Sequence, residues 1–437
     1  MREQGLLDCA GALWREYGDL FQVRVGWRTL IFAMHPDVVE HVQVTRKERY
    51  AKLDSYEPIR KYLIGNGVVA SNGELWRRQR KLMAPFYTPK GIQAYADMMI
   101  GEGARFVARW DELARSGREV DIAQEMTLVT AAVILKAMFS SETIDSINQM
   151  KDAVETMLDY INARLVRPQL PSWVPTAMNR KYNATRRMVH HSITSLIEQR
   201  RALAESEWPD DLLSRMMKAR DEETGEGMTA LLLRDESLTT FFAGYETTAR
   251  TMTFAWYALA TNPRVRARLH DELDRVLGGR APTIDALKQL PYTLQVIKEV
   301  LRLYPAAPFY PRDAVVADTL GRYDVPAGAS VMMSPYYTHR HPEFWRDPEV
   351  FDPDRWTRER EAARHRYAFH PFAAGQRTCI GNNFSLLESH ILLAALAQRF
   401  APALREGYAP RWEMRGTLTL PGGLPMIVRP RAVAAAA

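Results

Sequence analysis

Cysteine is almost absent from this 437-residue chain, which has only Cys9 and Cys379. Two thiols so far apart in sequence supply neither a disulfide framework nor a structural zinc site, which needs paired ligands at short spacing. A reducing, cytoplasmic setting is the expectation that follows. Long apolar runs are missing as well. The best, ILLAALA at 391–397, falls far short of the roughly 18 residues of a membrane span. The opening MREQGLLDCAGALWREYG carries acidic residues and a brief apolar patch, so it reads as neither a signal peptide nor an anchor. There is no P-loop and no internal repeat. Net charge is +6, but the basic residues are dispersed and no nucleic-acid motif accompanies them, which argues against that class of partner.

What is present is the composition of a globular protein, 46% apolar and 25% charged. Alternation over LFQVRVGWRTLIFAM (20–34) predicts a hairpin. Apolar residues then recur at three and four over 97–168 and 180–203, and a helix over 229–260 ends at Asn262-Pro263. Strand signals return at 308–316, 328–335 and 418–430, punctuated by Pro and Gly. The expectation is a single domain over 1–437, mainly α with a minor β-sheet lobe, and a disordered alanine-rich tail at 432–437. GNGVVA at 65–70 fits the dinucleotide-loop pattern, yet no clean strand precedes it and no acidic residue waits about 20 positions on. It reads instead as a glycine loop ahead of a helix starting near Asn72.

The informative stretch is FHPFAAGQRTCIGNNF, residues 369–384. A structural cysteine is usually a small buried hydrophobe with no need of flanking glycines or a cation. After Cys379, the spacing of Phe384, Leu387, Ile391 and Ala394 predicts a helix, whose N-terminal dipole favours a thiolate. A thiolate with one open side is a metal ligand or a nucleophile. Gly375 permits a tight turn, Gly381 permits close approach by something flat, and Arg377 offers a cation to an anionic group. Haem fits all three needs.

Phe372-Ala373-Ala374-Gly375-Gln376-Arg377-Thr378-Cys379-Ile380-Gly381 resembles F-x-x-G-x-R-x-C-x-G, the cysteine loop of the cytochromes P-450, the haem-thiolate monooxygenases. Ala373 departs from it, since the family often has Gly or Ser there; a slightly altered turn with no loss of function is expected. The resemblance implies that Cys379 ligates the iron of haem b, with Phe372 and Gly381 in its loop. It implies that Glu299 and Arg302, an E-x-x-R pair, form a structural triad with Arg355 of FDPDR. Trp76 and Arg80 match the family's W-x-x-x-R, and with Arg312 and Arg377 they are the residues it assigns to the haem and its propionates. In the 229–260 helix, Ala243-Gly244-Tyr245-Glu246-Thr247-Thr248 resembles the oxygen-binding groove, where Glu246 and Thr247 pass protons and Thr248 lends support. Gly244 and the Thr hydroxyls weaken a helix interior locally and could open a polar notch there. Val68, Val69, Ala243, Ala307 and Pro308 match the substrate pocket.

The function implied is insertion of one oxygen atom from O2 into an apolar substrate, a fatty acid, terpenoid or steroid, by a monomer. Electrons would come from ferredoxin or flavodoxin with an NAD(P)H-dependent reductase. Two other readings stay open, a peroxide-driven peroxygenase of the same family and a haem sensor or electron carrier. Arg77, Arg78 and Lys81, on the far face of the Trp76 helix, are a further expectation as a basic surface for an acidic redox partner.

Overall fold

The alternating segment does form a hairpin, β1 (Leu20–Val25) against β2 (Arg28–Ala33), with Leu20 opposite Ala33. In this computed structural model, which describes residues 5–140, 144–166 and 169–431, the hairpin belongs to a five-stranded sheet. With β3 (Tyr50–Ala51), β4 (Tyr310–Ala314) and β5 (Ser330–Met333) the strand order is β1-β2-β5-β4-β3, and only β2 and β5 run parallel. The alanine tail lies outside the described residues.

Most of the remaining chain is helical, as the three-and-four spacing requires. The helices that carry candidate site residues or support them are α1 (Gly73–Met83), α2 (Ala96–Ser116), α3 (Ala230–Thr261), α4 (Pro291–Leu303) and α5 (Asn382–Ala397). After α3 a single residue, Asn262, caps the next helix, which Pro263 opens where its missing N–H costs nothing.

The chain divides into two compact units. One comprises residues 1–51, 95–129 and 247–437, the other residues 52–94 and 130–246. The first holds the five-stranded sheet and a three-stranded sheet of Glu119–Asp121, Pro425–Ile427 and Ala403–Leu404. Its core includes α5, where Ile391–Ala397 are all buried, so ILLAALA is a core segment packed on α2. In the second unit Tyr160 stacks on Tyr182 at 3.8 Å, and the Tyr182 hydroxyl donates to the carbonyl of Tyr62. Among the described residues one helix, Ile122–Phe139, is long and apolar enough to cross a membrane, although Glu125 and Lys136 interrupt its apolar run. It is 78% buried within the protein, as a core helix is.

Candidate active site

The cysteine loop is closed by its own backbone. Cys379 N–H donates to the carbonyl of Phe372 at 2.8 Å, and Thr378 donates to the Gly375 carbonyl from both its N–H and its hydroxyl. Gly375 is demanded twice over. Its φ is +64°, and a Cβ there would lie 2.1 Å from the carbonyl oxygen of Gln43. Gly381 differs, because its φ is ordinary and an added Cβ would meet only the Cys379 sulfur, at 4.0 Å. The protein's own packing therefore gives no reason for glycine at 381. Cys379 is exposed and forms no disulfide, unlike a buried structural cysteine, and α5 begins three residues later as expected. Ala373 adopts the left-handed conformation, φ 59°, which a glycine would take more easily.

Gln43 joins this loop to Arg312 on β4. Its carbonyl underlies Gly375 while its side-chain oxygen accepts from Arg312 Nη2 at 3.3 Å. Arg312 is buried, with Nη1 on the Pro311 carbonyl, and Arg377 is half-buried in the short helical turn Gly375–Arg377.

The structure brings Glu299, Arg302 and Arg355 together. Arg302 donates to both Glu299 oxygens, at 2.9 and 2.8 Å, and Arg355 Nε lies 3.4 Å from Glu299 Oε1. Arg302 also holds the carbonyls of His339, Pro348 and Val350. Glu299 accepts in addition from Asp352 N–H and Trp356 Nε1. His339, which no sequence pattern singled out, connects this cluster to the cysteine loop. Its Nδ1 bonds the Arg302 carbonyl and its Nε2 accepts from His370 N–H, nine residues before Cys379. Complete burial and the neighbouring His370 hold the His339 pKa well below the usual range, so it acts as a neutral bridge.

In the 247–261 part of α3, Thr247 is half-buried, and its carbonyl accepts from the Thr251 hydroxyl. Thr248 is buried and bonds Ser385 of α5 hydroxyl to hydroxyl, at 3.1 Å. Beside them Glu388 of α5 is fully buried, which pushes its carboxyl up toward the neutral acid, opposed by a hydrogen bond from Thr248. Glu388 is a second residue the sequence reading missed; its one signal is a carboxylate inside the apolar run LLESHILL. In the same unit Pro308 is buried, its carbonyl held by the Ser334 hydroxyl, and Ala307 is half-buried.

The second unit carries the remaining candidates. Trp76 is buried and Arg80 half-buried, four residues apart on α1. Ala243 is exposed and Glu246 half-buried on α3. The expected notch at Gly244 is not a break, since α3 runs unbroken and a Cβ at 244 would lie 2.9 Å from Ile134. This glycine serves packing. The GNGVVA loop is clamped to the same helix. Asp235 accepts from Asn66 N–H at 2.9 Å, Glu236 from Val68 N–H at 3.1 Å, and Gln79 of α1 donates to the Asn66 carbonyl. A Cβ at Gly65 would strike the Asp235 carboxylate, and one at Gly67 the Thr239 hydroxyl. Val68 is buried and Val69 half-buried. Glu236 is fully buried with Oε1 lacking any partner, and burial pushes its carboxyl up to about 8.

The expected basic surface is not supported. Arg77 pairs with Glu74, Arg78 with Glu226, and Lys81 with Glu222 and Glu223.

A loop-borne thiol at a helix N-terminus, tied to a buried Glu-Arg-Arg cluster, is the arrangement that the resemblance to the haem-thiolate proteins leads one to expect. The chain belongs to the cytochrome P450 family, whose model matches residues 6–425. It is 33% identical over 420 residues to cyclooctatin synthase of Streptomyces melanosporofaciens, covering 95% of this chain and 89% of that protein. It is 34% identical to cyclooctat-9-en-7-ol 5-monooxygenase of the same organism, over 90% of this chain and 87% of the other. The crystal structure of a cytochrome P450DA heme domain superposes with a TM-score of 0.89 at 28% identity, covering 96% of this chain and 92% of that one. The fold is that of the cytochromes P450, the cofactor is haem b, and the activity is that of a monooxygenase using O2, an organic substrate and electrons from a redox partner.

Proposed function

We propose that the protein hydroxylates an apolar cyclic terpenoid, with Cys379 as the thiolate ligand of haem. The observation that carries the site is the Cys379 loop, whose exposed sulfur sits beside a glycine that the protein's own packing does not require. When bound through thiolate, haem supplies an iron centre on which sulfur electron density favours O–O cleavage. In this reading Trp76, Arg80, Arg312 and Arg377 hold the propionates. The Thr247 hydroxyl and Glu246 carboxyl hold and pass protons as general acids. Glu299, Arg302 and Arg355 are anchors and touch no substrate. Val68, Val69, Ala243, Ala307 and Pro308 offer apolar, mostly small side chains. These suit a bulky hydrocarbon, and the name of the similar 5-monooxygenase specifies an alkenol substrate.

The redox partner in this proposal is ferredoxin or flavodoxin with an NAD(P)H-dependent reductase. The protein is a cytoplasmic monomer whose residues 1–437 act as a single haem domain, a reading supported by one family match from 6 to 425.

Replacing Cys379 with Ala should abolish the thiolate-type Soret band of the reduced, carbon monoxide-bound protein; its retention would overturn the ligand assignment. Thr247→Ala should keep substrate binding while product formed per NAD(P)H consumed falls. Cyclic terpene alcohols should shift the spin state at lower concentration than fatty acids of similar size, and the reverse order would overturn the substrate class.

A further inference from the structure

A groove of about 520 Å3 in the second unit is lined by none of the residues read above as haem, proton-relay or substrate-pocket residues. Its apolar side is Trp208, Met217, Met228 and Leu233, and its polar side is Arg78, Arg201 and Arg220 with one carboxylate, Glu226. The volume lies within the usual range for small-molecule sites, roughly 300–1,000 Å3.

Two of the arginines converge on one point of the chain. Arg78 Nη2 donates to the Gly227 carbonyl at 3.1 Å and pairs with Glu226. Arg220 Nη1 donates to the carbonyls of Met217 and Ala219, and a Cβ at Gly227 would lie 2.8 Å from that same nitrogen. Glycine at 227 thus lets one guanidinium lie against the backbone while another bonds its carbonyl. Donors remain over. Arg78 Nε is buried and without a partner among the described residues, and the side chain of Arg201, exposed in the last turn of the helix Ala177–Ala202, makes no ion pair or hydrogen bond among them. Three guanidiniums against one carboxylate leave two positive charges uncompensated inside the lining.

We propose that this groove binds an amphipathic anion, a phosphate or carboxylate head on a hydrocarbon body. The head meets the forked N–H donors of Arg201, Arg220 and Arg78, which match planar or tetrahedral oxyanions. The body lies on Trp208, Met217, Met228 and Leu233, where the unbranched methionines adapt to a flexible chain. The site is separate from the monooxygenase reading and does not depend on it.

Calorimetric titration of the haem-loaded enzyme with dodecyl phosphate, below its micelle concentration, tests this. Saturable binding is expected, weakened by added salt. Dodecanol and inorganic phosphate should each bind at least about tenfold more weakly, since each lacks one half of the recognition. Arg201→Glu should weaken dodecyl phosphate binding about tenfold or more, because a charge-assisted donor becomes a repulsive charge. Trp208→Ala should weaken it through the hydrocarbon end. Neither variant should change the unfolding temperature by much or the spin-state titration with substrate, which reports the haem pocket separately. Equal affinity in parent and Arg201→Glu, equal affinity for dodecanol, or heat that appears only together with a spin-state shift would overturn the proposal.

Discussion

Glu299 and Glu236 are both fully buried carboxyl groups, and they are treated in opposite ways. Glu299 receives two bonds from Arg302, one each from Asp352 N–H and Trp356 Nε1, and has Arg355 at 3.4 Å. Glu236 receives the Val68 backbone N–H and a weaker contribution from the Gln79 side chain, and its other oxygen has no partner among the described residues. The first carboxyl has protein donors on both oxygens. The second meets the cost of desolvation by holding its proton. A buried acid with donors on both oxygens is an anchor, whereas one with an oxygen left without a donor is a titrating group fastened to a loop.

The contrast breaks most visibly at Arg302. Arg302→Leu takes from buried Glu299 the cation that bonds both its oxygens and strands the His339 and Pro348 carbonyls, so a loss of about 3–5 kcal/mol is expected. Denaturant unfolding would measure this, and haem retention should fall with it, because His339 ties Arg302 to the cysteine loop. A loss below 1 kcal/mol would mean the cluster is not the anchor described.

At Glu236 the expected effect depends on pH. Its pKa is raised in the folded protein, to about 8, so between the ordinary carboxyl value and 8 the native state binds the proton that the unfolded chain has released. Stability therefore falls as pH rises through that window, by at most about 1.4 kcal/mol per pH unit from this group. Asp235 next to it adds to the upward shift, and the Val68 N–H opposes it. Glu236→Gln keeps a neutral side chain of the same shape and should flatten the slope. The variant should be more stable than the parent at pH 8, with the gap closing toward pH 5. Parallel pH profiles for the two proteins would show that Glu236 is ionised in the fold.

The two carboxyl groups were not equally legible in the sequence. Glu299 stands in E-x-x-R, a pair that shares a helix face by spacing alone, and FDPDR supplied its third member. The cysteine loop was readable for a related reason, since its chemistry is confined to ten consecutive residues. The hairpin, α3 and α5 followed from periodicity. Glu236, Glu388 and His339 were not visible, because their significance comes from what folds against them. Glu236 matters through a loop 168 residues away, and His339 through a backbone N–H at 370. The glycines of GNGVVA were read as loop formers, while the side chains that require them, Asp235 and Thr239, lie on a distant helix.

Ala373 sharpens the comparison at smaller scale, because here the misfit is in the backbone. A non-glycine residue at φ 59° carries a steric cost of about 1–2 kcal/mol, which glycine avoids while losing more entropy on folding. Ala373→Gly should raise stability by no more than about 1 kcal/mol and leave the Soret band unchanged. A drop in stability would show that the methyl group packs in a way the turn needs.

The smallest effect is expected where exposed carboxylates pair with the cations of one helix face. Arg77, Arg78 and Lys81 have Glu74, Glu222, Glu223 and Glu226 as partners, so three cations face four carboxylates and the surface is not basic. Steering of an acidic partner needs an uncompensated field that reaches beyond a Debye length, about 10 Å at 0.1 M salt. Locally paired charges project little at that distance. The paired replacement Arg77→Ala with Glu74→Gln should therefore change the rate of electron transfer from an acidic ferredoxin by less than about twofold at any ionic strength, because it removes two charges that already cancel. Stopped-flow reduction at low and high salt would measure this. A marked slowing confined to low salt would show that the pairs open in solution and that this face does meet the partner. In that case Glu74→Gln, which frees Arg77 from its carboxylate, should speed reduction under the same conditions.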